Sequence, residues 1–399
     1  MIKTLKLELF TALLLGGCTI SMCAFAQSAS FFQPLPPGAD LTPQQETILE
    51  ALKNKPTAKS VQVQTLNTRL LELDNLPFNL DGQDYSLIKS SMKKLKGTKE
   101  SYRWEGFDAP KEQITATESV IIVDDRGLVT GTVTSGDKIL EIRPLGGDAH
   151  AIIEIDPTAF PQEHPDAPPK SSPTDEDNNG SVSPDASNAS STIDIYIAYT
   201  PSAAKSIVSI QGHAQLAVAT ANSVYKNTGL KTRLNLAGYS VETYAESSSM
   251  KTDLHRLKAK SDGFLDSIHT LREEHKADLV HLIVNRNDYC GYAYVNANSS
   301  SAFGVTDHSC VGSNKSFTHE VGHNLGGCHD PANASSCPFS FGYGYQDPEM
   351  KFRTVMAYNC ATNCRRIAIH SYPQKYGVQG KNDVKKVIKS RTQTVAGFR

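Results

Sequence analysis

The chain has 399 residues, 40 Lys and Arg against 42 Asp and Glu, and 39% hydrophobic residues. A net charge of −2 with no extended basic run gives no electrostatic footprint for nucleic acid. Beyond the N-terminal leader, no apolar stretch reaches the roughly 20 residues of a membrane-spanning helix.

Lys3 and Lys6 precede an apolar run from Phe10 to Ala26 that ends in Ala24-Phe25-Ala26. This reads as a secretory signal, residues 1–26, cleaved after Ala26. Leu15-Gly16-Gly17-Cys18 offers a competing reading, a lipoprotein box with Cys18 acylated. The apolar stretch from Thr19 to Ala26 argues against it, because a lipoprotein tether is usually polar; free secretion is favoured. Of the eight cysteines, Cys18 and Cys23 leave with the signal. The rest are Cys290, Cys310, Cys328, Cys337, Cys360 and Cys364, an even set that export would oxidise. Sequence does not choose among the possible connectivities. Proximity favours Cys290–Cys310, Cys328–Cys337 and Cys360–Cys364.

The mature length suggests two folded units. Residues from 27 to about 60 form a polar leader with one short helix around Pro43 to Lys53. From Val61 to Ile155, β-type runs such as Ser119 to Val123 and Ile152 to Ile155 are separated by turn signals at Asp125-Arg126-Gly127 and Leu145-Gly146-Gly147-Asp148. Residues 27–156 are thus expected to form a small β-rich domain around Trp104, the single tryptophan. Pro157 to Ser191 has hardly any aliphatic residue and reads as a disordered linker.

From Thr192 the pattern alternates. A strand is expected over 192–200, a helix over 201–227, a strand over 231–241 and a helix over 250–275. Asp278 to Asn285 is apolar enough for a central buried strand, and Gly291 to Val295 reads as an edge strand. A metal-binding helix follows, with Ser313 or Asn314 as its cap, and a last helix spans about Asn382 to Thr394.

Residues 319–330 read His-Glu-Val-Gly-His-Asn-Leu-Gly-Gly-Cys-His-Asp. On a helix, His319 and His323 share one face and can grip one ion, and Glu320 is placed to take a proton from a metal-bound water. Gly326 can turn the chain sharply so that His329 returns as a third ligand. Three protein ligands with one open position describe a catalytic zinc site rather than a structural one. In a chain of this composition, chance would give the full motif on the order of once in 100,000 sequences. Cys328 beside His329 reads as a disulfide partner rather than a thiolate ligand. His281, His308 and His370 read as structural histidines.

The pattern is the metzincin signature, and Thr354-Val355-Met356-Ala357-Tyr358 resembles the methionine turn of that group. Residues 192–399 resemble reprolysin-like (adamalysin-related) metzincins, particularly the bacterial secreted branch with the peptidyl-Asp metalloendopeptidases. The residues carrying this are Cys290-Gly291-Tyr292-Ala293, Thr318 to Asp330, Arg353 to Cys360 and Val395 to Arg399. The resemblance implies an α+β catalytic domain with a mixed twisted sheet, one catalytic Zn2+ and a β-rich propeptide, with a structural Ca2+ as a further expectation. It assigns Tyr358 to transition-state binding, with a packed tyrosine as the alternative reading. Residues 27–289 hold no cysteine, so a thiolate block is excluded, leaving a carboxylate or steric one.

The expected function is a secreted, monomeric zinc metalloendopeptidase acting on proteins and peptides, without nucleic-acid or stable membrane partners. Arg365 or Arg366 in the presumed pocket would favour an acidic residue after the cut bond; a solvated surface pair is the alternative. The rival classes are a non-catalytic, zinc-stabilised binding protein and a zinc hydrolase of non-peptide bonds.

Overall fold

The computed structural model describes residues 29–95, 100–108, 118–164 and 192–399. The expected signal, Cys18 and the linker from 165 to 191 lie outside the described residues.

In the N-terminal unit, strand β1 (Phe32–Pro34) is followed by helix α1 (Pro43–Lys53). The Thr42 hydroxyl accepts from the Gln45 N–H while the Gln45 side chain accepts from the Thr42 N–H. This reciprocal cap, with Pro43 in the first turn, starts the helix where its sequence predicts. The strands β2 (Ala58–Leu66), β3 (Asn75–Leu80), β4 (Gln83–Lys94), β5 (Tyr102–Asp108), β6 (Ser119–Val123), β7 (Val129–Ser135), β8 (Lys138–Gly146) and β9 (Ala149–Ile155) follow. With β1 they form one antiparallel sheet in the order β1-β2-β9-β8-β7-β6-β5-β4-β3. The Phe31 N–H donates to the Pro77 carbonyl, bringing the start of the chain to the far edge strand. Trp104 is fully buried in the core with Phe31, Leu76, Ile121 and Ile142.

The C-terminal unit runs β10 (Thr192–Tyr199), α2 (Pro201–Lys205), α3 (Ile210–Asn227), β11 (Arg233–Val241), α4 (Met250–Lys258), α5 (Ser267–Glu274), β12 (Leu279–Val284), β13 (Gly291–Ala293), β14 (Phe303–Asp307) and α6 (Ser316–Asn324). A short pair, β15 (Phe352–Arg353) and β16 (Arg365–Arg366), precedes α7 (Val384–Val395). The sheet order is β11-β10-β12-β14-β13, parallel except for antiparallel β13 at the edge. This α+β architecture buries every residue of the apolar strand β12 at its centre. The disulfides are Cys290–Cys310, Cys328–Cys337 and Cys360–Cys364, the pairs that proximity favours.

Four local expectations are corrected. The helix expected over 201–227 is two helices, because Ser209 recaps the chain by accepting from the Gly212 N–H. Its hydroxyl donates at 2.6 Å to Asp124 of the N-terminal unit, a long-range bond that no local pattern reveals. The helix expected over 250–275 breaks between α4 and α5 at a turn where Gly263 has φ +86°. Strand β14, buried throughout, is an additional element beyond those expected. Helix α6 is entered through Lys315 at φ 60° with no side-chain cap, not through Ser313 or Asn314.

The two units are joined by packing and charge. Val120 and Ile122 of β6 pack on Leu216 and Ala219 of α3. Arg143 donates to the His308 carbonyl at 3.4 Å, and Ser313 donates to Glu141.

Candidate active site

Every residue of α6 is buried, so its histidines look into the protein rather than into solvent. His319 and His323 sit one turn apart, and the chain then turns at Gly326 with φ +98°. A Cβ at Gly326 would also come within 2.8 Å of the Phe339 ring, so glycine is required on both counts. The turn returns His329 to the same spot. The Nε2 atoms of His319, His323 and His329 lie 3.0, 3.0 and 3.2 Å apart.

The outer nitrogens face carbonyls: His319 Nδ1 meets Val355 O and His323 Nδ1 meets Gly327 O, both at 2.8 Å. These bonds fix each ring and direct its Nε2 lone pair inward. Burial holds all three imidazoles neutral, His319 and His329 well below the usual range and His323 down to about 3. Three neutral imidazole nitrogens about 2.0–2.1 Å from one ion in a tetrahedral arrangement would be about 3.3 Å apart. The trio fits a metal ion of zinc type.

The floor of the site is the methionine turn. A Cβ on Gly322 would lie 2.5 Å from the Met356 sulfur, so glycine at the second variable position of the His-Glu-x-x-His motif lets Met356 pack directly against the helix. Asp330 accepts from the Tyr358 N–H at 3.0 Å and from the Asn333 amide at 2.9 Å, tying the third-histidine loop to that turn. Cys328–Cys337 closes the same loop.

Glu320 is fully buried beside the trio, and neither carboxylate oxygen has a hydrogen-bond partner among the described residues. Burial, followed by the neighbouring Glu163 charge, pushes its carboxyl well above the usual range. Gly291 on β13 approaches so closely that a Cβ there would lie 2.3 Å from Glu320 Oε1.

The sequence assigns residues 157–164 to the linker, yet here they cross the site. Glu163 and His164 are 4% and 0% exposed. The Cys290 N–H donates to the Gln162 carbonyl at 3.2 Å, at the edge strand. Glu163 pairs with Arg366 at 2.7 Å and accepts from the Ser316 hydroxyl at 3.3 Å. The Tyr358 hydroxyl donates to the His164 carbonyl, and its ring centroid lies 4.3 Å from that of His329. Burial raises the Tyr358 pKa, so the phenol stays a donor. A cavity of about 580 Å³ runs beside this segment, lined on its far side by Asn333, Arg353, Tyr358 and Asn359.

The two sequence-nominated arginines separate. Arg365 faces the N-terminal sheet and pairs with Glu118, whereas Arg366 is buried in the cleft. Sequence reasoning missed two companions, Lys315 and Arg353, both buried near Arg366. Burial, then the Arg366 and Arg353 charges, bring the Lys315 ammonium down to about 7. Burial, then Arg366, hold the Arg353 guanidinium well below its usual range. Lys315, Arg353 and Arg366 thus lie buried together at the cleft, with Glu163 paired to Arg366. The available signal was Arg353 next to the methionine turn; nothing local marks Lys315.

His281 bonds Thr306 at 2.7 Å, His308 bonds Asn285 at 3.2 Å, and the His370 ring stacks 5.8 Å from Tyr225. None joins the trio. Among the described residues, the two groups of three side chains able to hold a metal are His164, His323 and His329, and Glu163, His319 and Glu320. Both lie in the cleft, so the expected Ca2+ gains no support. No described helix is long and apolar enough to cross a membrane.

Residues 189–367 match the reprolysin-type model of metallo-peptidase family M12. The chain is 31% identical to the peptidyl-Asp metalloendopeptidase of Stenotrophomonas maltophilia (strain R551-3), over 96% of this chain and 98% of that protein. It is likewise 31% identical to the enzyme of that name from Xanthomonas campestris pv. campestris, over 95% and 97%. The chain belongs to the M12 metallopeptidases and is a metalloendopeptidase.

Proposed function

We propose that the protein is an exported zinc endopeptidase that cuts peptide bonds on the N-terminal side of aspartate. The single observation that carries the catalytic part is the convergence of three neutral imidazoles beside an unpartnered carboxylate, Glu320. His319, His323 and His329 would hold the ion. A zinc ion held there would supply Lewis-acid polarisation of the scissile carbonyl and a water with a pKa of about 7.

The chain's own residues do the rest. Glu320 takes the proton of the attacking water and passes it to the departing amine. The Tyr358 phenol, kept protonated by burial, donates to the developing oxyanion. The substrate lies extended along β13, using the Cys290 N–H that Gln162 occupies in the uncut chain. Gly291 keeps that edge thin enough for Glu320 to reach the bond.

Preference for aspartate rests on Arg366, backed by Lys315 and Arg353. A carboxylate entering this pocket finds a guanidinium already desolvated and held by the Asn314 carbonyl at 2.8 Å. A neutral side chain would leave those cations uncompensated, which is strongly unfavourable in a buried site. Glu163 pairing with Arg366 gives the pattern that such a substrate side chain would follow. Residues 27–164 act as a prosegment, exported with the aid of residues 1–26 and separated by cleavage within 165–191.

A cleavage-site profile of the mature enzyme on proteome-derived peptides tests this reading. Most new N-termini should begin with Asp. A profile without enrichment for an acidic residue there would refute the specificity, and no cleavage at all would refute the catalytic reading.

A further inference from the structure

The segment Gln162-Glu163-His164 is anchored at three successive points. The Gln162 carbonyl takes the Cys290 N–H, Glu163 pairs with Arg366, and the His164 carbonyl takes the Tyr358 hydroxyl. Held in this way, the His164 imidazole is fully buried over the metal trio. Its ring centroid lies 4.9 Å from that of His329, 5.6 Å from that of His323 and 4.4 Å from that of Tyr292. The ligating nitrogens of His164, His323 and His329 all lie within 4.8 Å of one another.

We propose that His164 is a fourth nitrogen ligand of the metal in the uncut chain, closing the position that substrate and water need. The inference rests on the zinc-site reading above and adds the means of latency. Glu163 supplies address and His164 supplies the block: one occupies the anion pocket, the other the coordination site. A metal with four protein ligands has the closed shell of a structural site, so the uncut chain is inert; removing residues 162–164 restores an open catalytic one.

Histidine suits this task in this chain. The six cysteines after the leader form three disulfides within the C-terminal unit. A seventh thiol in the prosegment would be an odd partner open to thiol–disulfide exchange in an oxidising compartment. A neutral imidazole binds the ion without that hazard. Glu163 is the alternative blocker, since its carboxylate is grouped with His319 and Glu320. Its carboxylate is instead engaged by Arg366 at 2.7 Å and by the Ser316 hydroxyl at 3.3 Å.

The test uses the full chain carrying Glu320→Gln, so that the prosegment stays intact, loaded with Co2+ as the probe. Visible ligand-field absorption and X-ray absorption then report the ligands, with thermal melting as the control for folding. Four imidazoles are expected. His164→Ala and, as a gentler change, His164→Asn should each lower the count to three and shift the visible bands. Both should also speed Co2+ removal by a chelator by about tenfold or more. Glu163→Gln should leave the imidazole count unchanged. Superimposable spectra for the parent and both His164 variants, with Co2+ still bound, would overturn the proposal while leaving the enzyme reading intact. A spectral shift confined to Glu163→Gln would also overturn it. Failure of every form to bind Co2+ would instead bring down the metal site itself.

Discussion

Replacing Arg366 by methionine keeps most of the buried volume and removes the charge. Arg366 is 5% exposed and holds Glu163 at 2.7 Å, so a substrate carboxylate in its place would be a desolvated, hydrogen-bonded partner. Removing one member of such a pair costs about 2–5 kcal/mol. Lys315 and Arg353 remain and retain part of the positive field, which places the loss near 3 kcal/mol rather than at the upper end. That corresponds to about a 150-fold fall in kcat/KM, at roughly 1.4 kcal/mol per factor of ten. The assay compares mature wild-type, Arg366→Met and Arg366→Lys enzymes on quenched-fluorescent peptides with Asp, Asn or Ala after the scissile bond. The Asp-to-Asn preference should collapse in Arg366→Met and partly survive in Arg366→Lys, with bound zinc unchanged in both. An unaltered preference in Arg366→Met would refute the assignment of this pocket.

Gly291→Ala should displace the Glu320 carboxylate, because the added carbon would lie 2.3 Å from Oε1. A misplacement of about 1 Å costs on the order of 100-fold, so kcat should fall by that much while zinc content, measured by elemental analysis, stays the same. Replacing both Cys328 and Cys337 by serine opens a loop of sequence separation 9 and should lower the unfolding free energy by about 2.5 kcal/mol in denaturant titration. Burial depresses His213 and His281 to about 3, so below pH 6.5 the unfolded chain takes up protons that the folded one refuses. Stability should therefore be fully present above pH 6.5 and fall as pH drops toward 3, by about 1.4 kcal/mol per histidine at pH 5.5. The His281→Asn protein should show a shallower fall of denaturation midpoint with pH; an identical slope would count against that source.

The metal helix and its returning loop were legible because their chemistry is local. Spacing puts His319 and His323 on one face, and only glycine tolerates the backbone at Gly326. The central place of β12 was equally legible from its unbroken apolar run. What escaped the sequence depends on distant partners. The break before α3 exists because Ser209 is held by Asp124 from the other unit. The left-handed entry at Lys315 has no local signature, since its side chain caps nothing and turns inward beside Arg366. Glu163 and His164 sit in a polar, proline-rich stretch with little tendency to fold, and they are ordered by contacts with the cleft. The choice between Arg365 and Arg366 required the fold to show which of two adjacent side chains faces inward.

The central claim is that a metal on His319, His323 and His329 works with Glu320 to hydrolyse peptide bonds. The most direct measurement pairs zinc stoichiometry with casein hydrolysis in mature wild-type and Glu320→Gln enzymes. The account predicts one zinc per chain in both proteins and a loss of activity of about 10⁴-fold in the variant alone. Glu320→Gln hydrolysing casein at the wild-type rate, or an active wild-type enzyme containing no metal, would contradict it.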